Sequence, residues 1–169
     1  MIPLRNPNRM AAKFRSRTTW RQKLERPQEA KIVDIPARMH ARLGQGRMLI
    51  PRPLDVDALI RRVGKGKLVT VQQLRQELAR RGKAEVACPL CTGIFIRIVA
   101  EAAEEDRRAG KSVTPYWRVI SSEGRLHPKF PGGANAQRRL LSSEGHKILK
   151  PSGKKPPAVA HFEESLAGF

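Results

Sequence analysis

Residues 70–110 read TVQQLRQELARRGKAEVACPLCTGIFIRIVAEAAEEDRRAG, and this stretch decides the fold. Thr70-x-x-Gln73 is a capping-box signature, in which the Thr hydroxyl takes an orphan amide and the Gln side chain returns the bond. Behind it Val71, Leu74 and Leu78 recur at helical spacing, and Gly82 supplies a stop. After a short connector, Pro89 suits a first helical position, and a second helix runs to about Arg108 with Gly110 beyond it. Cys91, Ile94, Phe95, Ile98, Val99 and Ala102 are its expected buried face. Two helices joined by a few residues, the second longer, are the skeleton of a helix-turn-helix.

Working outward, Pro53 to Val63 reads as a preceding helix with Leu54, Ala58, Leu59 and Val63 on one side and Gly64 as its stop. Downstream, Trp117 to Ile120 is β-prone, Ser122-Glu123-Gly124 makes a turn, and Arg125 to Phe130 returns as the other side of a wing. Gly132 to Glu144 is a last helix with Leu140 and Leu141 inward. The expected class is therefore α+β, mainly helical: a winged helix-turn-helix over residues 47–148. Residues 1–46 form a basic N-terminal arm with short helices around Thr18–Glu25 and Ala37–Leu43. Too poor in apolar residues for its own core, the arm either drapes over the main domain or orders on a partner. Residues 149–169, with Pro151, Gly153, Pro156 and Pro157, read as a flexible tail.

Charge points to the partner. Thirty-four Lys and Arg stand against fifteen Asp and Glu, a formal charge of +19 over 169 residues. The usual partner of such an excess is a polyphosphate, DNA or RNA. No membrane partner is expected: no apolar run reaches the ~18 residues a span requires, and neither end carries a basic helix with a continuous apolar face. The expected location is cytoplasmic, associated with the nucleoid, although the Arg-rich, acid-free N-terminus keeps a transit peptide open.

Cys88 and Cys91 are the two cysteines, and the four histidines (His40, His127, His146 and His161) are scattered singly. Zinc needs about four ligands, so neither a metal nor another cofactor is expected. The two thiols sit in the first turn of their helix, where the dipole lowers a thiol pKa. A redox pair or substitute nucleophile stays open beside the plainer reading of Cys91 as core filler. Gly64-Lys65-Gly66-Lys67 lacks the phosphate-loop frame and reads as a basic turn able to touch a phosphate.

Several fragments also occur in a telling order. Gly66-Lys67-Leu68-Val69-Thr70 is followed by Pro115-Tyr116-Trp117-Arg118-Val119, then Gly132-Gly133, then Leu140-Leu141-Ser142-Ser143-Glu144-Gly145. In order and spacing, residues 54 to about 146 resemble the DNA-binding domain of the alkylguanine-DNA alkyltransferases. The resemblance is nearer to the alkyltransferase-like proteins, which lack the catalytic cysteine. It implies that the nucleophilic Cys falls on Tyr116 and the activating His on Trp117, so alkyl transfer is lost and no catalytic residue is expected. It implies a DNA-binding protein that recognises alkylated or flipped bases in a pocket bordered by Tyr116, Trp117, Phe130, Pro131 and Gly132, with downstream repair proteins as further partners. Thr92 falls where the family carries its groove-filling Arg, and Arg97 is the nearest basic residue on that helix. Arg118 matches the family's Arg, which holds the local fold and backbone rather than reading a base; with Thr92, Arg97, Lys65 and Lys67 it completes the expected DNA-binding set, in which the two lysines neutralise phosphates. An insertion around Glu104 to Lys111 follows the recognition helix. Trp117 reads first as packing beneath the wing, and strand alternation then turns Tyr116 toward the pocket. Two other classes stay open: an RNA- or ribosome-associated basic protein, and a residual methyltransferase using Cys88 or Cys91.

Overall fold

The computed structural model describes residues 17–169, so the first sixteen residues of the basic arm lie outside the described residues. In chain order the elements are α1 (Trp20–Leu24), β1 (Lys31–Asp34), α2 (His40–Leu43), β2 (Arg47–Ile50), α3 (Pro53–Arg61), β3 (Val69–Thr70), α4 (Val71–Gly82) and β4 (Val86–Ala87). Then follow α5 (Pro89–Arg108), β5 (Val119–Ile120), α6 (Gly133–Ser143), β6 (Ile148–Leu149) and β7 (Ala158–Val159). The class is α+β and mainly helical, with three small sheets.

The local signals act where the residues place them. Thr70 Oγ1 accepts the Gln73 amide at 3.1 Å and Gln73 Oε1 accepts the Thr70 amide at 2.9 Å, which starts α4. The helix stops one residue past Gly82, with Lys83 in the left-handed region at φ 53°. Pro89 opens α5 and Cys88 caps it. In the arm, Thr19 and Gln22 form a second capping box at α1, and α2 ends on Gly44.

The core joins Val56, Leu59 and Ile60 of α3 to Leu74 and Leu78 of α4 and to Ile96, Val99, Ala100 and Ala103 of α5. This corrects the expected face of α5: Ile94 is 49% exposed and Thr92 is fully buried. The helix carries two apolar stripes at i, i+3, i+4 spacing, and periodicity alone does not choose between them. Packing chooses the one with alanines, because small side chains let α1 and α3 approach closely. On α3, likewise, Leu54 and Ala58 face outward and Val56 and Ile60 face inward.

The described part of the arm, from residue 17 on, drapes over the domain. The Glu105 carboxylate on α5 accepts the amides of Trp20 and Arg21 at 2.9 and 2.8 Å, capping α1 from another helix, and Arg21 pairs with Asp106 at 3.2 Å. β1 pairs antiparallel with β2, which pairs in parallel with β4.

Two expectations change after α5. Residues 116–118 form a 3-10 turn, and only Val119 and Ile120 are extended, in parallel with β3. The turn at Ser121–Gly124 is present, but the wing is not closed by its own return strand: Arg125 bridges to Ala158 of β7. The tail is packed. β7 pairs antiparallel with β6, Val159 is 3% exposed, and Phe162 and Leu166 close over Leu68, Ile120, Leu126 and Leu141. Proline and glycine there shape turns between short anchored pieces.

Candidate functional site

Tyr116, at the centre of the pocket expected from the sequence, is 1% exposed. Its ring lies edge-on between Trp117 and Phe130, with centroids 5.6 and 5.5 Å away, and its hydroxyl donates to Glu104 Oε1 at 2.7 Å. Burial first, and then the neighbouring Glu104 carboxylate, push the phenol well above its ordinary pKa. The ring is held fast and its proton is committed, so a phenolate nucleophile does not form at neutral pH.

Trp117 and Arg118 belong to a polar cluster around Glu144. The Glu144 carboxylate accepts from Arg118 Nε and Nη2, from Trp117 Nε1 at 3.0 Å and from the Gly66 amide at 3.2 Å, while Arg118 Nη1 donates to the Val63 carbonyl. Arg118 thus ties the start of β5 to the end of α6 and to the loop after α3. Its side chain is 12% exposed, so it holds the local fold as expected, and its place among the expected DNA-binding residues is corrected to a structural one.

A cavity of about 380 Å³ opens beside Tyr116. Of the five expected pocket residues, Tyr116, Pro131 and Gly132 line it, whereas Trp117 and Phe130 stand behind Tyr116 as its clamps. Gly132 adopts φ +74° and a Cβ there would meet Ala136 Cβ at 2.6 Å, so the pocket wall requires glycine. The sequence reading missed Arg107, Arg108 and Arg139, which also line the cavity.

The exposed face of α5 is a second feature. Leu90 is 71% and Ile94 49% exposed, and with Gly93 and Arg97 they border a groove of about 670 Å³ walled by Trp20, Lys23 and Lys129. Arg97 therefore faces solvent as expected, reaching Glu101 only at 3.9 Å. Thr92 does not: its hydroxyl donates to the Cys88 carbonyl at 2.7 Å inside the core, which corrects its assignment as a contact. Lys65 and Lys67 are exposed on their turn. The i, i+4, i+7 spacing of Leu90, Ile94 and Arg97 is the available signal for this face, but Ile94 reads equally well as part of the buried stripe.

Cys88 and Cys91 are both free. Cys88 Sγ accepts the Cys91 amide at 3.3 Å, and burial, followed by the adjoining Cys88, pushes the Cys91 thiol up to about 11. The helix N-terminus does not overcome that burial. At pH 8 about one Cys91 in a thousand is then thiolate. Iodoacetamide labelling followed by peptide mass spectrometry is expected to modify Cys91 at least tenfold more slowly than an unstructured cysteine peptide; labelling at the peptide's rate would mean an activated thiol. Among the described residues no group of three or more His, Cys, Asp or Glu is placed to hold a metal ion, and no helix is long and apolar enough to cross a membrane.

No family model matches the chain, and no curated protein does. One solved structure is similar. It is the crystal structure of S. pombe Atl1 in complex with damaged DNA containing O6-carboxymethylguanine, matched at 19% identity and a TM-score of 0.49 over 69% of this chain and 94% of that one.

Proposed function

We propose that this protein is a non-catalytic DNA-binding protein that recognises alkylated or extruded bases in the cavity beside Tyr116. The observation that carries the reading is the exposed face of α5, where Leu90, Ile94 and Arg97 stand between Lys23 and Lys129 in a chain of formal charge +19. An apolar ridge flanked by cations suits a nucleic-acid groove: the charges neutralise phosphates and the ridge meets base edges. Lys65 and Lys67 add to the cationic surface. The cavity sets the fixed Tyr116 ring, Pro131 and Leu140 beside Glu104 and three arginines, with no activated nucleophile. The Tyr116 proton is held by Glu104, Cys88 is buried and the Cys91 thiol is raised, all of which speak against residual methyl transfer. Action in the nucleoid and hand-over to downstream repair proteins belong to the same proposal.

Fluorescence anisotropy with duplex DNA, the same duplex carrying an alkylated guanine, and a structured RNA, all at one salt concentration, tests it. The lesion duplex is expected to bind most tightly, and affinity to fall with salt at a log–log slope near −0.9 per phosphate contacted. Equal affinity for all three would reduce the reading to unspecific charge attraction, and a preference for the RNA would replace it.

A further inference from the structure

Cys88 is the N-cap of α5 and Cys91 the third residue of its first turn. The helix fixes their spacing. Positions three apart on an α-helix have Cα atoms about 5 Å apart, inside the ~4.4–6.8 Å that a disulfide spans. Cys88 Sγ accepts the Cys91 amide at 3.3 Å, so its sulfur is turned back over that turn, and the Cys91 thiol is hydrogen-bonded to the Cys88 side chain. Both thiols are free.

Their surroundings differ. Cys88 is 7% exposed and lines a cavity of about 450 Å³, whereas Cys91 does not line it. The cavity lies between the 3-10 turn at Ala37–Met39, α2, β2 and the start of α5. Met39, Met48 and Leu90 form its apolar wall, and Arg38 and Arg42 stand at its rim. Both arginines are exposed and make no hydrogen bond or ion pair among the described residues, and no carboxylate lines the cavity. Behind Cys88, Arg75 Nε donates to the Ala87 carbonyl at 3.4 Å. Burial first, and then the charge of Arg42, weigh against the Arg75 charge, while Cys88 favours it. An anion entering the cavity therefore meets Arg38 and Arg42 unopposed, and a sulfur anion forming at its floor has Arg75 as counter-charge. Cys91, raised to about 11, keeps its proton. A dithiol that exchanges with disulfides needs this inequality: one sulfur open to attack, the other held back to close the ring.

We propose that Cys88 and Cys91 form a thiol–disulfide exchange site for a small anionic disulfide that enters between Arg38 and Arg42, with Cys88 attacking and Cys91 resolving. The Cys88 thiolate attacks one sulfur of the incoming R–S–S–R. That S–S bond breaks, a Cys88–S–S–R bond forms, and R–S⁻ leaves and takes up the proton that Cys88 gave to solvent. Cys91 then loses its proton to solvent and attacks Cys88 Sγ, expelling the second R–S⁻, which is protonated in turn. The two cysteines are oxidised to one internal disulfide and the incoming disulfide is reduced to two thiols. The site stands apart from the DNA-binding reading and does not rest on it.

Incubation of the reduced full chain with glutathione disulfide, quenching with N-ethylmaleimide and mass spectrometry of the intact protein and its peptides test the proposal. Wild type is expected to lose two hydrogen atoms, both from the peptide that carries Cys88 and Cys91, and to retain no glutathione. Cys91→Ser is expected to hold one glutathione on Cys88. Cys88→Ser, in which serine still caps α5, is expected to hold at least tenfold less. Arg38→Ala/Arg42→Ala is expected to react at least fivefold more slowly with glutathione disulfide, yet no more slowly than wild type with cystamine, a cationic disulfide. Glutathione retained on Cys91 rather than Cys88, no adduct on a Cys91→Ser chain with native circular dichroism, or equal slowing toward both disulfides overturns the proposal. Should Cys91→Ser fail to fold, wild type decides: two free thiols after prolonged exposure overturn it, and the internal link sustains it.

Discussion

Replacing Glu144 with alanine is expected to cost about 3–5 kcal/mol of folding stability, read as a shift of the urea midpoint at pH 7. The side chains of Arg118 and Glu144 are only 12% and 7% exposed, and they meet at 2.7 Å. Without the carboxylate, the Arg118 guanidinium keeps its charge in a nearly dry site with one carbonyl partner, and the Trp117 and Gly66 N–H groups lose their acceptor. The loss is that of an uncompensated charge and stranded donors. Substituting both members, Arg118→Met with Glu144→Leu, is therefore expected to be milder than Glu144→Ala alone. The pair also sets a pH dependence. Burial alone would raise the Glu144 pKa, but the bonds from Arg118, Trp117 and the Gly66 amide outweigh it and hold the carboxyl below its ordinary 4.5. Its stabilisation is present in full above that ordinary value and is lost as the pH falls through the lower folded one. Wild-type stability should fall in that acid range more steeply than that of Glu144→Gln. A Glu144→Ala cost under about 1 kcal/mol would mean that water screens the pair as it does at a surface.

Removing residues 158–169 is expected to abolish the cooperative fold. These residues bury Val159 and cover Leu68, Ile120, Leu126 and Leu141 with Phe162 and Leu166. They also supply backbone partners to the middle of the chain. The Leu68 amide donates to the Ser165 carbonyl at 2.9 Å, the Ala167 amide to the Leu68 carbonyl at 2.8 Å, and the Val159 amide to the Gly124 carbonyl at 2.9 Å. Truncating one large buried apolar side chain costs about 2–5 kcal/mol, against a total stability of about 5–15 kcal/mol for a domain. Deleting the whole segment exceeds that margin, so the near-ultraviolet circular dichroism of the truncated chain should collapse. Phe162→Ala, a gentler version, should lower stability by about 2–4 kcal/mol, less than a fully buried phenylalanine because its ring is half-buried. A truncated chain that melts cooperatively within a few degrees of the full one would show the segment to be a passenger.

That segment marks where the sequence is hard to read. Helices α4 and α5 are legible because Thr70, Gln73 and Pro89 act through neighbours a few residues away, and the short helices of the arm are legible for the same reason. The terminal segment spreads its apolar residues singly, as Ile148, Val159, Phe162 and Leu166, between prolines and glycines. No local period reveals that each drops into the same small core. The rotation of α5 is hidden differently: both of its stripes satisfy the helical spacing, and only the arrival of α1 and α3 chooses between them. In the candidate site, the ordered motifs located Tyr116, Pro131 and Gly132 beside one cavity. They did not locate Arg107, Arg108 and Arg139, because among thirty-four basic residues an arginine on a solvated helix face carries no distinguishing pattern. Thr92 was misplaced because its fate depends on helix rotation, which the motif order does not encode.

The docking of α1 onto Glu105 and Asp106 has an electrostatic corollary. Those carboxylates sit on the same helix as the exposed Arg97, and bound as they are to the Trp20 and Arg21 amides and the Arg21 guanidinium, they are kept from view. A fragment trimmed to begin at Arg47 would shed most of its basic leader and also unmask an acidic patch on α5. The leader thus acts as a built-in counter-ion, and the local sign of the surface is a property of the docked chain rather than of the helix.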